Sequence, residues 1–454
     1  MSVCSEQSRV ACAIGGIYTA LGIENVLPIM HSGPGCHHNS SGLLAIVNGR
    51  QAGLTYYEFT IPSTNFCEED VVFGGMERLR NLTAKTLEYY NADLVIIVDG
   101  CTAEIVGDDI KEVAEDFSDA KVPVLYASLP GFKGNNLWGH SQILNAIIDQ
   151  YIKPSNVKRK GQVNVFGIVP YYDPMWLGTL EKLEELLQFL GLTPNIIYGK
   201  GKGLAAVDRI PEAEFNLLIG PWVDLDIVEK LHGKFGTPFF HYPCIPVGAT
   251  ETAAFIRAMV DYAKLDSKKA EKYIKDNDER YNGYFWRNNR YGGVMFPKRS
   301  FVNASASAAV SVTRFLINDA GLFPEKIYIP EDVPEEHHNR IVSWLKEPQY
   351  DGIGDFDIVF TDDGGLCNAE LKKIDLTLLR ANLFGSTWDE LTAKNKEIPF
   401  VSISAPYGDN LIANKTYFGY DGGLEFYRDL YNDCIKKFLG SGAVINVDAA
   451  RNVC

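Results

Sequence analysis

The sequence predicts an α/β fold of three Rossmann-like domains with mostly parallel, open sheets. Short apolar runs rich in β-branched residues recur along the chain, and amphipathic helical patterns lie between them, which is the signature of repeated βαβ units. The length of 454 residues exceeds what one hydrophobic core usually organises. We therefore expect domains at residues 1–160, 161–285 and 286–454.

Seven apolar runs predict strands of these sheets, because each is short, β-branched and followed by turn residues. They are Asp93–Val98, Pro123–Tyr126, Val163–Val169, Phe215–Ile219, Lys326–Ile329, Phe356–Phe360 and Phe400–Ser404.

A helix is predicted at Gly178–Leu190, where five leucines fall on one stripe and Gly191 supplies a stop signal. Candidate domain boundaries are the polar stretch Lys153–Gly161 and the charged stretch Lys264–Arg280, which leads into an aromatic-rich segment. Near the end of the chain, a glycine-rich turn at Gly419–Gly423 precedes a helical pattern. We expect that last helix, which belongs to the third domain, to dock on the body of the protein.

The composition argues against a membrane protein and a nucleic-acid-binding protein. Hydrophobic residues make up 46% and charged residues 22%, and no run of about 18 apolar residues offers a membrane span. The first ten residues lack a secretory signal, so we expect a soluble protein in a reducing cytoplasm, where disulfides are rare. The net charge of −15 argues against a nucleic-acid partner.

Three of the nine cysteines lie where the backbone is expected to turn. Cys12 precedes the apolar segment Ile17–Leu21, and Cys36 follows a tight turn at residues 31–35. Cys101 follows the strand at Asp93–Val98, at the carboxyl edge where open α/β sheets place their sites.

Iron–sulfur clusters need thiolates presented by backbone that can bring N–H groups close to sulfur, and glycine-rich turns allow this approach. The alternative for each cysteine taken alone is a small side chain that fills a loop pocket. Without a CxxC pair, spacing alone leaves both interpretations open.

Three motifs in order resemble the nitrogenase component 1 family. They are the His-Ser-Gly-Pro-Gly-Cys segment at His31–Cys36, the segment Ser63–Gly75, and the Gly-Cys-Thr-Ala-Glu-Ile-Val-Gly-Asp-Asp-Ile segment at Gly100–Ile110. A looser similarity extends over nearly the whole chain, including Asn216–Trp222.

The resemblance implies that Cys12, Cys36 and Cys101 bind iron in one half of a cluster shared with an α-like partner subunit. The cluster would be of the P-cluster [8Fe-7S] type or a [4Fe-4S] cluster. A heterotetramer of two α-like and two β-like subunits and an ATP-dependent iron protein are the implied partners. No catalytic residue is expected in this chain, and the residues expected around the ligands are Gly35, His37, Gly100, Thr102 and Gly131.

The lack of a cysteine and of a histidine at two expected places favours the β-like subunit. The family's α-like chain anchors its active-site cofactor with a cysteine after a second-domain strand and a histidine near its end. The segment Phe215–Trp222 contains no cysteine, and no histidine follows His338. Two departures suggest a divergent branch: Gly131 stands where some β-like subunits have a cluster-binding serine, and only eleven residues precede Cys12, which leaves no room for the long extension of many β-like subunits.

Other conspicuous residues receive structural interpretations. Cys67 lies beside three carboxylates that disfavour its thiolate, and Cys244 is expected in a packed loop. His37 and His38 are more typical of a solvated or interface position, and Glu104, Asp108 and Asp109 are expected to cap a helix. The segment Gly199–Gly203 lacks phosphate-loop spacing and predicts an exposed turn.

Three functions remain in view. The favoured one is a nitrogenase-like oxidoreductase subunit that passes electrons towards a small, hard-to-reduce substrate, such as dinitrogen in nitrogen fixation, a methylthio-alkane for a methylthio-alkane reductase, or a tetrapyrrole, under anaerobic conditions. The second is a scaffold on which a nitrogenase metal cofactor is assembled, whose β-like members usually keep fewer of the three cysteines. The third is a metal-free structural subunit.

Overall fold

The computed structural model describes residues 6, 8–46, 49, 61–292, 296–347, 355–376, 380–408 and 410–438. In this part of the chain the strands form three fully parallel sheets. The strands are β1 (Val26–His31), β2 (Leu94–Asp99), β3 (Val124–Ser128), β4 (Arg159–Phe166), β5 (Thr193–Asn195), β6 (Ala213–Ile219), β7 (Phe239–Tyr242), β8 (Arg299–Asn303), β9 (Phe323–Ile329), β10 (Asp357–Phe360), β11 (Ala381–Gly385) and β12 (Phe400–Ser402).

The helices alternate with these strands. In the first half they are α1 (Ile17–Leu21), α2 (Pro34–Ile46), α3 (Glu68–Phe73), α4 (Met76–Tyr89), α5 (Cys101–Val106), α6 (Ile110–Glu115), α7 (Asn136–Ala146), α8 (Trp176–Leu190) and α9 (Leu204–Asp208). In the second half they are α10 (Leu225–Phe235), α11 (Gly248–Ala263), α12 (Ser267–Gly292), α13 (Ala306–Phe315), α14 (Glu335–Lys346), α15 (Leu366–Leu371), α16 (Glu390–Asn395) and α17 (Gly419–Phe438).

The strand order of each sheet is that of open α/β folds. The first sheet runs β1-β2-β3, the second β5-β4-β6-β7, and the third β10-β9-β8-β11-β12. The third order is the doubly wound arrangement of Rossmann folds, with the first strand of the set in the middle. The predicted α/β class with parallel sheets is therefore confirmed.

Local sequence explains the central elements. Every residue of β2 (LVIIVD) is buried, as expected for a strand covered by helices on both faces. The predicted leucine stripe is buried along α8, which ends at Gly191 in the left-handed conformation with φ of 95°. All seven runs predicted as strands overlap strands, with boundaries shifted by a few residues.

The chain divides into two compact units. One contains Val10–Pro243 with Gly408–Lys415 and holds the first two sheets, and the other contains Met1–Arg9, Cys244–Tyr407 and Thr416–Cys454 and holds the third. The division into three domains at residues 160 and 285 stays a prediction. The expected boundary at Lys264–Arg280 falls largely within α12, a single helix of 26 residues.

One detail near the end of the chain differs from the sequence-based expectation. Gly419–Gly423 is not a separate turn but the first turn of α17, because glycines do not interrupt a helix that its neighbours hold. This last helix packs within its own unit, against α11, α12 and β12. Among the described residues, no helix combines the length and apolarity needed to cross a membrane.

Candidate functional site

The carboxyl ends of the first sheet bring three loops together. In the parallel register, His31 at the end of β1 lies opposite Asp99 of β2, which lies opposite Ser128 of β3. The segments that follow these residues contain Cys36, Cys101 and Gly131. Parallel strands thus place loops that are distant in sequence at one edge, where open α/β sheets carry their sites.

Each cysteine begins or precedes a helical turn. Cys12 is the cap before the 3-10 turn Ala13–Gly16, and Cys101 is the first residue of α5. Cys36, expected after a tight turn, lies in the first turn of α2, because Pro34 has a backbone angle that suits a helix start. The Cys36 N–H donates to the Gly33 carbonyl at 3.1 Å.

The loop of Cys12 is held by helix α7. The Ala11 N–H donates to Asn136 Oδ1 at 2.8 Å, and the Asn136 N–H donates to the Ala11 carbonyl at 3.0 Å. A Cβ atom on Gly139 would lie 2.2 Å from the Ala13 carbonyl oxygen. The close packing of the turn on α7 therefore requires glycine, and it fixes the position of Cys12.

Gly131 lies between two of the thiols. Its N–H donates to Cys101 Sγ at 3.1 Å. A Cβ atom built on Gly131 would lie 2.4 Å from Cys12 Sγ and 3.5 Å from Cys101 Sγ. The two sulfurs are therefore no further apart than the sum of these distances, and a side chain at residue 131 would fill the space between them.

Cys36 belongs to the same group. Burial raises the pKa of its thiol, and the nearby Cys12 and Cys101 thiols raise the pKa further. The Ser32 hydroxyl acts in the opposite direction on that pKa, although among the described residues it has no partner at hydrogen-bond geometry. The structure thus gathers Cys12, Cys36 and Cys101, while their role as ligands stays a prediction.

The donor set consists of three thiols, the ligand type of iron–sulfur clusters. In the described part of the chain, no three His, Cys, Asp or Glu side chains close around one metal position. Cluster irons are held by separate thiolates, with backbone N–H groups directed at sulfur, and the Gly131 N–H is already directed in this way. Cys12 is exposed and the other two thiols are half-buried, so the group is open on one side.

The structure places the residues expected around the ligands in different surroundings. The Gly100 N–H donates to the His31 carbonyl at 3.0 Å, and a Cβ on Gly100 would lie 2.8 Å from Ser32 Cβ. Gly35 has open space at its Cα. His37 Nε2 is buried without a hydrogen-bond partner among the described residues. Thr102 is half-buried beside Cys101.

A pair that the sequence interpretation missed lies behind the cysteines. His31 Nε2 is 2.9 Å from Asp108 Oδ2, and both side chains are buried. Burial lowers the pKa of His31, with Asp108 acting in the opposite direction. The expected role of Asp108 as a helix cap belongs instead to Asp109, which accepts N–H groups of Lys111 and Glu112 at the start of α6. His31 ends β1, and Asp108 follows α5, the helix that begins at the same edge of the sheet. This placement is the signal that could have found the pair.

A charged group borders Cys101. Glu104 forms an ion pair with Lys133 and accepts a hydrogen bond from the Ser128 hydroxyl at 2.9 Å. The Lys133 ammonium lowers the pKa of Glu104. Burial raises the pKa of Asp99, which accepts the Leu129 N–H at 2.7 Å.

Exposed apolar side chains lie on two short helices next to the cysteines. Val72 and Phe73 on α3 are 71% and 82% exposed, and Ile105 on α5 is 74% exposed. The two helices contact each other. We call the residues Val71, Val72, Phe73 and Ile105 the apolar patch. Large exposed apolar groups of this kind mark protein interaction sites.

The remaining cysteines have other surroundings. Cys67 caps α3, its N–H donates to Asp70 Oδ2 at 2.8 Å, and Arg78 donates to its sulfur at 3.3 Å. Cys244 is completely buried, and burial raises the pKa of its thiol. Cys367 and Cys434 are buried, whereas Cys4 and Cys454 lie outside the described residues. The structural roles assigned to Cys67 and Cys244 stay predictions.

Comparison with known proteins places the whole chain in one group. The family model described as "Nitrogenase component 1 type Oxidoreductase" matches residues 11–435. One of the subunits of light-independent protochlorophyllide reductase from Trichormus variabilis is 24% identical over 439 residues, which cover 92% of this chain and 81% of the relative. The protein of the same description from Chlorella vulgaris has the same identity and coverage.

Solved structures agree in fold. The structure described as "Nitrogenase Cp1 at pH 6.5" superposes with a TM-score of 0.79 at 18% identity and covers 96% of this chain and 94% of its own. The structure at pH 5 gives a TM-score of 0.71 at 18% identity, with 95% and 90% coverage. At this level of identity the similarity establishes the fold alone.

Proposed function

The chain belongs to the nitrogenase component 1 type oxidoreductase family, and from this premise we propose that it is the β-like subunit of a nitrogenase-like reductase complex. Members of this family work with a partner subunit and an iron protein that serves as the reductase component. In this proposal the chain holds half of an iron–sulfur cluster through Cys12, Cys36 and Cys101. A reducing cytoplasm would keep these thiols from forming disulfides.

The proposal rests on three thiols at one edge of the first sheet, two of which lie next to Gly131. Soft thiolates are the ligands that iron–sulfur clusters require. The Gly131 N–H would keep one hydrogen bond on the Cys101 sulfur, and the missing side chain at residue 131 leaves room next to Cys12. When bound, a cluster of this type accepts and releases single electrons.

The exposure of the thiols supports a shared site. Cys12 is exposed, and Cys36 and Cys101 are half-buried in the isolated chain. A redox centre held by this chain alone would be open to water on one side, whereas a partner subunit would cover it and supply further ligands. We propose an α-like partner in an α2β2 heterotetramer. The choice between an [8Fe-7S] and a [4Fe-4S] cluster depends on that partner.

The apolar patch provides a docking surface for the iron protein. Its residues lie on α3 and on α5, the helix that begins with Cys101, so a protein that binds there is close to the proposed cluster. Electron transfer requires such proximity. An iron protein that covers Val72, Phe73 and Ile105 would also remove exposed apolar area from water, which favours binding.

The β-like assignment rests on side chains that are absent from this chain. The strand β6 and the residues after it, Gly220–Pro221–Trp222, contain no cysteine that could anchor a cofactor, and no histidine follows His338 in the sequence. The chemistry on the substrate is therefore assigned to the α-like partner. The relatives described above are themselves named as one subunit of a reductase, which agrees with a reaction divided between subunits.

One experiment distinguishes a reductase subunit from an assembly scaffold. The complex, purified anaerobically with its partner subunit, is mixed with reduced iron protein and ATP and supplied with dinitrogen or a methylthio-alkane. We expect ATP-dependent formation of ammonia or of methanethiol and the alkane. Absence of any reduced product, together with transfer of a metal cofactor to an acceptor protein, would instead establish the assembly scaffold.

A further inference from the structure

We infer that Asp108 is a positioning residue that connects the apolar patch to the loops carrying Cys36 and Cys101. The inference rests on the proposed function and deepens it, because it states how contact at the docking surface reaches the proposed ligands. It is carried by the hydrogen bonds of Asp108 and His31.

Asp108 contacts the end of the patch helix directly. Its Oδ2 atom accepts the Gly75 N–H at 2.8 Å, and Gly75 lies two residues after Phe73, the last residue of α3. A Cβ on Gly74 would lie 3.1 Å from Asp108 Oδ1, so the backbone passes close to the carboxylate. The same Oδ2 atom accepts the His31 Nε2–H at 2.9 Å.

His31 is placed against both cysteine loops. Its carbonyl oxygen accepts the N–H of Gly100, the residue before Cys101. It is also the last residue of β1, directly before the segment that leads to Cys36. Because the side chain is fully buried, a shift of the imidazole displaces this backbone rather than solvent.

The opposite edge of the His31 imidazole makes a second set of contacts. The Nδ1 atom lies 3.2 Å from Thr64 Oγ1, which also accepts the Ser32 N–H at 3.2 Å. The ring of Phe66 packs edge-on against His31 at 4.8 Å between centroids. With Nε2–H donating to the carboxylate, Nδ1 is left as the acceptor for the Thr64 hydroxyl.

Asp108 also connects to Cys101 along the chain. Its N–H donates to the Ala103 carbonyl at 3.2 Å, at the end of α5, which starts with Cys101. The carboxylate of Asp108 therefore contacts the residue that follows the patch helix and the last residue of β1, and its main-chain N–H contacts the helix of Cys101. Pressure on Val72 or Phe73 that moves Gly75 must move His31 or break a buried, charge-assisted hydrogen bond.

The test compares three variants of the complex purified with its partner subunit. Asp108→Ala removes both hydrogen bonds, and Asp108→Asn keeps an amide oxygen that can accept both. Asp109→Ala is the matched control, because it removes the neighbouring carboxylate, which caps α6 and contacts neither His31 nor Gly75. Amide hydrogen exchange and the midpoint potential of the bound iron–sulfur group are measured for each.

We expect Asp108→Ala to speed exchange about tenfold in residues 68–75 and 31–36 together, as loss of a buried charge-assisted bond predicts. Asp108→Asn should restore most of the protection, and Asp109→Ala should affect residues 110–115 only. The midpoint potential should shift in Asp108→Ala and return towards the wild-type value in Asp108→Asn.

Unchanged exchange at residues 31–36 in Asp108→Ala would overturn the inference, and so would an unchanged midpoint potential. The exchange measurement needs no iron, so it tests the connection even in a complex that lacks a cluster. A complex without iron would overturn the proposed function and is recognised separately by iron analysis.

Discussion

The N–H of Gly131 donates to the Sγ atom of Cys101 across 3.1 Å, and the Cα of the same glycine faces Cys12 Sγ. The glycine follows β3, whereas the cysteines come from the chain terminus and from the end of β2. A main-chain N–H group that donates to sulfur does not depend on the side chains around it. Its hydrogen bond stabilises a thiolate. Residue 131 therefore controls both the space and the hydrogen bonding at the proposed cluster.

Gly131→Ala should lower the iron content of the complex. The added Cβ would overlap Cys12 Sγ, at 2.4 Å in the present geometry, so Cys12 or the loop after β3 must move. We expect less than about half of the wild-type iron per chain, because changes to the groups that orient a metal's ligands typically lower metal affinity about 10–100-fold. Iron is measured in the anaerobically purified complex.

Gly233→Ala is the matched control. Gly233 lies in α10, and a Cβ there meets no atom within 4 Å. This variant should keep its iron. If Gly131→Ala and the wild type had equal iron contents, metal binding would not depend on the absence of a side chain at residue 131.

Phe73→Ala should weaken binding of the iron protein. Phe73 is the most exposed residue of the apolar patch, and truncation of a central interface aromatic typically costs tenfold or more in affinity, roughly 1.4 kcal/mol or above. The measurement is the iron protein concentration that gives half-maximal reduction. Leu391→Ala changes an exposed leucine of α16 and should leave that concentration unchanged; similar values for both variants would argue against docking at the patch.

Arg9→Ala should destabilise the unit that contains the third sheet. Both Arg9 and Asp389 are buried, and the two terminal guanidinium nitrogens, Nη1 and Nη2, each lie 2.9 Å from a carboxylate oxygen. Removing one partner of a buried pair costs about 3–5 kcal/mol, because the other charge stays buried. Urea unfolding measures the loss.

The control for this prediction is Arg80→Ala. Arg80 pairs with Glu112 and Asp116 at the surface, where an ion pair contributes about 1 kcal/mol or less. A loss in Arg9→Ala as small as that in Arg80→Ala would contradict the importance of the buried pair.

His31→Gln should reduce the sensitivity of the protein to mild acid. Burial lowers the pKa of His31 in the folded state, whereas an unfolded histidine titrates near pH 6.5. The unfolded chain then binds more protons than the folded chain as the pH falls below about 6.5, so the stability from neutral His31 is present above that pH and lost below it.

The melting temperature of the wild type should therefore drop between pH 7.5 and pH 5.5, and the drop should be smaller in His31→Gln. Glutamine keeps an N–H donor for Asp108. The same substitution at the exposed His232 of α10 should leave the wild-type drop in place. An equal drop in all three proteins would exclude His31 as a source of acid sensitivity.

The fold was largely predictable because its signals are local. The run at β2 is apolar at five consecutive positions, and the α8 stripe repeats with helical spacing, so both are evident from the sequence. The strand β1 is less evident, because Pro28 interrupts it. The proline is tolerated because β1 is the outer strand of the sheet β1-β2-β3.

The site was predictable only in its residue types. Three cysteines next to glycine turns and family motifs indicated the ligands, but no local pattern shows that Gly131 contacts two sulfurs. The His31–Asp108 contact joins residues 77 positions apart and depends on the parallel register of β1 and β2. Likewise, the exposure of Phe73 follows from its position on α3 and not from its residue type.

The most direct test of the central claim is iron and acid-labile sulfide analysis of the anaerobically purified complex with single Cys→Ala changes at residues 12, 36, 101 and 67. The account predicts loss of iron and sulfide for Cys12, Cys36 and Cys101, and wild-type amounts for the exposed Cys67, which caps α3. Wild-type iron in the first three variants would contradict it, as would a wild-type complex with less than about one iron per chain.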